Sequence, residues 1–149
     1  MLQMTVSDWD ILLRLSAAAF FGGVIGFERE WHGKEAGVRT YALVCLGSAL
    51  IMIVSIQIFE TYRSVTSVDP SRIAAQVVSG VGFLGAGAIM RNPKEIKGLT
   101  TAAGIWTASG IGLACGLGHY KPAFFTTLAA LIILVLFSKM DRFFGGKDA

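Results

Sequence analysis

Residues 41–59 read YALVCLGSALIMIVSIQIF and contain no Asp, Glu, Lys or Arg. The run is close to the roughly 20 residues with which a helix crosses the hydrocarbon core of a bilayer. Apolar residues fill the whole run instead of one stripe, so it lacks the amphipathic pattern of a helix on a soluble protein. The stretch therefore predicts a transmembrane helix.

Four more apolar runs accompany this one, at about residues 11–27, 73–90, 99–117 and 122–140. Hydrophobic residues make up 54% of the chain and charged residues 15%, whereas about 25% of a soluble domain is charged. Backbone groups in lipid must bond internally, and no alternating strand pattern is present, so helices are favoured. We predict an all-α polytopic membrane protein in which residues 1–149 form one domain of five transmembrane helices.

Basic residues are unevenly distributed among the connections. Those after the first, third and fifth runs are Arg29, Lys34, Arg39, Arg91, Lys94, Lys97, Lys139, Arg142 and Lys147. The alternate connections hold Arg63, Arg72 and Lys121. By the positive-inside rule, the N-terminus is expected outside and the C-terminus in the cytoplasm. Asp8 and Asp10 precede the first run without any cation, so we expect a retained helix and not a cleaved signal peptide.

Several classes of function find no support. The formal net charge is only +3, and its cations cluster beside apolar runs, which argues against a nucleic-acid partner. His32 and His119 are predicted near opposite surfaces without partners at ligand spacing, so we expect neither catalysis nor a cofactor. Gly80, Gly82 and Gly85 fit the dinucleotide fingerprint, but they lie in mid-run with no preceding strand.

Two acids flank a cation where the first helix leaves the bilayer. We expect them to form a network with cations and hydroxyls of the same face, and the predicted functional cluster is Glu28, Arg29, Glu30, Lys34, Arg39, Thr40, Arg91, Thr100 and Thr101. Two interpretations stay open: a functional surface, or a brace between helix ends. Glu28 and Glu30 also offer two oxygen ligands for a divalent cation, but Arg29 and Lys34 count against it, so no metal site is predicted.

A second polar group is predicted at the outer side. Asp10 and Arg14 are four residues apart and share a helix face, so they are expected to neutralise each other; an ion or proton path is the alternative. Asp69, before Pro70, is expected to cap the third helix, with Arg72 close by. Gln76 is expected to hydrogen-bond a neighbouring helix.

Small residues predict close contacts between helices. On the third and fourth helices they are Gly80, Gly82, Gly85, Gly87, Gly104, Gly112 and Gly116, together with Trp106. Gly22 and Gly26 form such a face on the first helix, either for internal packing or for a homodimer.

Three ordered segments resemble the signature blocks of the MgtC/SapB family of membrane proteins. They begin GFERE at residue 26, DPSRIAAQVVSG at residue 69 and GLTTAAGIW at residue 98. The resemblance implies a bacterial cytoplasmic (inner) membrane protein of about five helices, linked to growth in low magnesium and, in some pathogens, to survival inside host cells. Better-studied members act on other membrane proteins, including the proton-translocating ATP synthase.

Two features set the chain apart from other family members. Many relatives add a soluble domain after the fifth helix, so a short form is expected here. Thr100 and Thr107 stand where some virulence-associated members have Asn and Cys, which argues against that subtype. A magnesium-transport ATPase is not expected, because the chain has no G-x-x-x-x-G-K-[ST] loop.

The leading functional prediction is a non-enzymatic homodimer that modulates a partner ATPase or transporter under magnesium or acid stress. The alternative is a small transporter or channel for Mg²⁺, another cation or another solute, with the Gly-rich third and fourth helices in its favour.

Overall fold

The structure is a computed structural model that describes the backbone of residues 7–67, 69–91, 93 and 95–144 and side chains as far as residue 138. Within these residues lie five helices: α1 (Asp8–Trp31), α2 (Val38–Tyr62), α3 (Ser71–Ala88), α4 (Leu99–Gly116) and α5 (Tyr120–Phe144). Each predicted run corresponds to one helix. The predictions that used Lys94, Lys147 and the side chains of Lys139 and Arg142 fall outside the described part.

Three helices, α1, α2 and α5, are long and apolar enough to cross a membrane. Helices α3 and α4 have 18 residues each, which corresponds to about 27 Å of axial rise, slightly less than the ~30 Å hydrocarbon core. Their Gly, Ser and Thr residues also lower their hydropathy. The structure thus supports a helical membrane protein, and the count of five complete spans stays a prediction.

The all-α prediction omitted one small element. Strands β1 (Met90–Arg91) and β2 (Ile96–Lys97) pair antiparallel between α3 and α4. Strands of two residues are too short to produce an alternating pattern in the sequence. Gly98, which follows β2, has φ +88° and leaves no space for a Cβ beside the Ala88 carbonyl, so only glycine fits where α4 begins.

Glycines hold α2 close to α1 and α4. A Cβ on Gly22 would lie 2.5 Å from the Tyr41 carbonyl oxygen, one on Gly26 2.6 Å from the Val38 Cα, and one on Gly116 2.6 Å from the Ala49 carbonyl oxygen. Gly104 and Gly112 contact α2 as closely. These five glycines of the predicted packing set lie at helix–helix contacts, and Gly22 and Gly26 serve internal packing.

Most of the α3 glycines make no such contact with the other described residues of the chain. Gly80, Gly82 and Gly87 have open space where a Cβ would be, and Gly85 makes only ordinary contact with Ala102. The buried stripe of α3 consists of Ala74, Val77, Val81 and Gly85, at a spacing of three or four residues, so the other three glycines lie on uncovered faces. Trp106 was also expected in the packing, but it is 56% exposed.

Candidate functional site

A buried ion pair lies in the last turn of α1. Glu28 and Arg29 are 8% and 4% exposed, and Glu28 Oε2 lies 3.8 Å from Arg29 Nη1. Removing two charges from water is costly unless each compensates the other. The structure thus brings together two residues of the predicted cluster.

The pair is connected to α4 and α2. Arg29 Nη2 donates to Thr101 Oγ1 at 3.4 Å, and the Tyr41 hydroxyl donates to the Thr101 carbonyl oxygen at 3.3 Å. Thr101 is buried in the first turn of α4, and Tyr41 is fully buried in α2. Three helices therefore meet at this site.

His32, the residue directly after α1, also belongs to the site. Its Nδ1 lies 3.0 Å from Glu28 Oε1 and 2.9 Å from the Glu28 carbonyl oxygen, so one ring nitrogen faces two acceptors. Among the described residues, neither carboxylate oxygen of Glu28 nor Arg29 Nε has a hydrogen-bond partner of good geometry. The site has compensated charge but incomplete hydrogen bonding. The Glu28 to His32 spacing of four residues could have revealed this contact, whereas Tyr41 gave no signal in the sequence.

Glu30 has a different role from Glu28. Its Oε2 accepts the backbone N–H of Val38 at 2.9 Å and thereby caps α2, whose N-cap residue Gly37 has no side chain to do so. The two acids therefore do not form one site: the network was predicted to include Glu30, but Glu30 bonds to Val38 instead. Arg39, Thr40 and Arg91 are exposed and also lie outside it.

A cavity of about 890 Å³ opens beside the ion pair, between the end of α1, the β1–β2 ladder, the start of α4 and the end of α5. Its polar residues include Glu28, Arg29, His32, Lys34, Glu35, Lys97, Thr100 and Thr101, and its apolar residues include Met90, Ile96, Leu99, Ile133, Leu134 and Phe137. Lys34 and Thr100 were predicted as members of the functional cluster, whereas Lys97 and the residues of α5 were missed. The α5 residues belong to a run that is uniformly apolar in the sequence.

On the opposite end of α1, Arg14 does not pair with Asp10 as predicted. Arg14 Nη1 donates to the Gly116 carbonyl oxygen at 2.8 Å, at the end of α4, whereas Asp10 Oδ2 accepts the Ser7 hydroxyl at 3.0 Å. The last carbonyls of a helix have no partner within it, so the Gly116 carbonyl is available to the partly buried Arg14 side chain, whereas Asp10 is exposed. Arg14 therefore joins α1 to α4.

Asp69 bonds to the first residue of α3 from the position before Pro70, which is the N-cap residue. Its Oδ1 accepts the Ser71 N–H at 2.8 Å and the Ser71 hydroxyl at 2.7 Å, and these bonds, with the nearby charge of Arg72, lower the pKa of the carboxyl group. Gln76 is exposed and makes no side-chain hydrogen bond within the described residues, so its predicted bond to a neighbouring helix is not present inside this chain. No group of three or more His, Cys, Asp or Glu residues in the described part could hold a metal ion.

Residues 15–143 match the MgtC family. The chain belongs to the MgtC family. The match covers α1 from Leu15 onward, all of α2, α3 and α4, and most of α5. Membership and the three long apolar helices together identify a membrane protein.

Three bacterial proteins are similar to this chain. The protein of Escherichia coli K12 named "Putative magnesium transporter YhiD" is 47% identical over 133 residues, which are 88% of this chain and 62% of that protein. Protein MgtC of Salmonella typhimurium LT2 is 47% identical over 83% of this chain and 49% of its own length. Protein SapB of Bacillus subtilis 168 is 46% identical over 84% of this chain and 55% of its own length. The chain thus spans 49–62% of the length of these relatives, and no solved structure matches it.

Proposed function

We propose that this MgtC-family chain is an inner-membrane protein that modulates a partner ATPase or transporter during magnesium or acid stress. The observation that carries the proposal is the uncovered face of α3. Phe83 on that face is 82% exposed, and Gly80 and Gly87 on the same face have nothing within 4 Å of a Cβ. Helices associate in lipid through small residues that permit close backbone approach and through polar side chains such as Gln76.

The proposal includes five membrane crossings with the N-terminus outside. The distribution of basic residues supports it, as does the position of Arg29, Lys34 and Lys97 around one end of the bundle. Short α3 and α4 fit a bilayer that thins locally beside them. Labelling of single cysteines tests it: a thiol at Lys34 should react only from the cytoplasm and one at Ser64, after α2, only from outside.

The polar site is better suited to an indirect response to magnesium, through a partner, than to direct coordination of the ion. Glu28 is compensated by Arg29 at 3.8 Å, and Glu30 is engaged in capping α2, whereas a protein site for a divalent cation needs several oxygen ligands. No catalytic step is part of the proposal, and a role in virulence remains a prediction.

Capture of partners from native membranes tests the face. The variant Gly80→Leu/Gly87→Leu fills it, and Gly23→Leu serves as the matched control, because Gly23 on α1 also has nothing within 4 Å of a Cβ. We expect the α3 variant to lose a crosslinked membrane ATPase, transporter or second copy of the chain, and the control to keep it. Equal capture by both variants would reject α3 as the contact.

The second candidate is a transporter or channel for Mg²⁺, another cation or a solute. The name of the Escherichia coli relative and the cavity of about 890 Å³ beside Glu28 favour it. Flux into proteoliposomes that contain only this chain, abolished by Glu28→Gln, would replace the modulator proposal. A captured partner without flux would exclude the transporter.

A further inference from the structure

The cavity beside the ion pair is polar on one side and apolar on the other. Lys34 and Lys97 reach it from the loop after α1 and from β2, and Thr100 adds a hydroxyl. Helix α5 contributes Ile133 and Phe137, which are 55% and 54% exposed. A ligand that matches both linings carries an anion and an apolar part.

Charge at the rim favours an anion. Glu28 is compensated by Arg29 within the site, so the remaining cavity charges are two lysines against Glu35. Lys97 Nζ lies 2.7 Å from Glu95 Oε1, but their side chains are 57% and 52% exposed. Exposed ion pairs of this kind contribute little to stability.

Size and position restrict the ligand further. A volume of about 890 Å³ lies within the range of about 300–1,000 Å³ that holds small organic molecules. The cavity is located at the ends of α1 and α5, both of which are candidate membrane spans, and therefore at the level where phospholipid phosphates meet acyl chains. Lysines near such a surface attract anionic headgroups.

We propose that the cavity binds one phospholipid, with its phosphate against Lys34 and Lys97 and one acyl chain along Ile133 and Phe137. The lipid covers the apolar residues of α5 and excludes water from the side of the ion pair. This site is separate from the α3 face, so neither proposal depends on the other.

Thermal unfolding of the delipidated chain in neutral detergent tests the proposal with three probes. Dioleoylphosphatidylglycerol carries both the phosphate and the chains, dioleoylglycerol carries the chains alone, and glycerol 3-phosphate carries the phosphate alone. We expect only the first probe to raise the unfolding temperature with a saturating dose. An equal rise with either half-molecule would overturn the proposal.

Matched variants locate the site. Lys34→Gln and Lys97→Gln should each weaken phosphatidylglycerol binding about fivefold, and together about 25-fold. Arg39→Gln is the control, because Arg39 is an exposed cation that does not line the cavity; it should change affinity less than twofold. Equal losses in all three single variants would mean non-specific attraction to a basic surface and would reject the site.

A second pair of variants tests the acyl chain. Ile133→Trp places a large side chain in the cavity, whereas Ile132→Trp changes the preceding residue, which is 53% exposed and outside the cavity. We expect about a tenfold loss of affinity for the first and none for the second, since occupied volume excludes the chain. Native mass spectrometry should show one bound lipid per chain in the wild type and in Ile132→Trp.

Discussion

Helices α4 and α3 have the same length, 18 residues each, and are both rich in small residues, yet they use them in opposite ways. Gly104, Gly112 and Gly116 of α4 bring its backbone against α2, whereas Gly80, Gly82 and Gly87 of α3 contact nothing. Close packing in lipid depends on such contacts. One helix is therefore an internal part of the fold, and the other offers an unoccupied surface.

The largest expected effect separates a buried arginine from one on α3. Arg29→Met leaves Glu28 as an uncompensated buried charge, which costs about 3–5 kcal/mol, whereas Arg72→Met on exposed α3 should cost less than about 0.5 kcal/mol. Unfolding in mixed micelles measures both. Glu28→Gln/Arg29→Met should be more stable than Arg29→Met alone; if it is less stable, the two residues are not coupled as an ion pair.

The next effect compares glycines directly. Gly116→Ala places a Cβ 2.6 Å from the Ala49 carbonyl oxygen and should destabilise the fold by about 3 kcal/mol, because backbone atoms cannot rotate away. Gly82→Ala on α3 meets open space and should be neutral or stabilising by up to about 1 kcal/mol through helix propensity. Equal losses in the two variants would show that α3 is covered in the folded chain.

A smaller effect concerns the start of α2. Glu30→Ala removes the acceptor of the Val38 N–H and should cost about 1 kcal/mol, as loss of a capping group does. Glu30→Gln keeps an acceptor at that position and should recover at least half of the loss. The same unfolding assay applies, and an unchanged stability in Glu30→Ala would contradict the capping role.

The smallest effect is a pH dependence at the start of α3. The pKa of Asp69 is lowered by hydrogen bonds from Ser71, so its contribution is fully present above the unfolded value of about 3.9 and is lost as pH falls through the lower folded value. Amide exchange at residues 71–74, corrected for intrinsic rates, should increase at pH 3. Asp69→Asn does not titrate, so a persisting pH dependence in that variant would assign the effect to another group.

The sequence predicted the helices and much of the core well. Uncharged runs identify helices, and Gly22, Gly26 and Gly116 are spaced for contact. The spacing of glycines shows which of them share a face of a helix, but it does not show which faces another helix covers. For this reason Gly80, Gly82 and Gly87 were predicted to pack, although no other helix of this chain covers them.

The polar site was predicted only in part. Glu28, Arg29 and Thr101 meet because two helix ends converge, which charge and spacing suggested. Glu30 differs from Glu28 because residues two apart on a helix point in different directions. Arg14 was paired with the nearest acid in sequence, although its partner is a carbonyl 102 residues away in sequence, a relation that no local pattern contains.

The short ladder between α3 and α4 restricts how the bundle can change shape. Met90 pairs with Lys97 and Arg91 with Ile96, so the adjoining ends of the two helices are fastened together. If a neighbouring protein displaces α3, we expect the displacement to be smallest at this paired end and largest at the Asp69 end. This displacement would reach α2 first, because the hydroxyl of Ser55 in α2 donates to the Pro70 carbonyl oxygen.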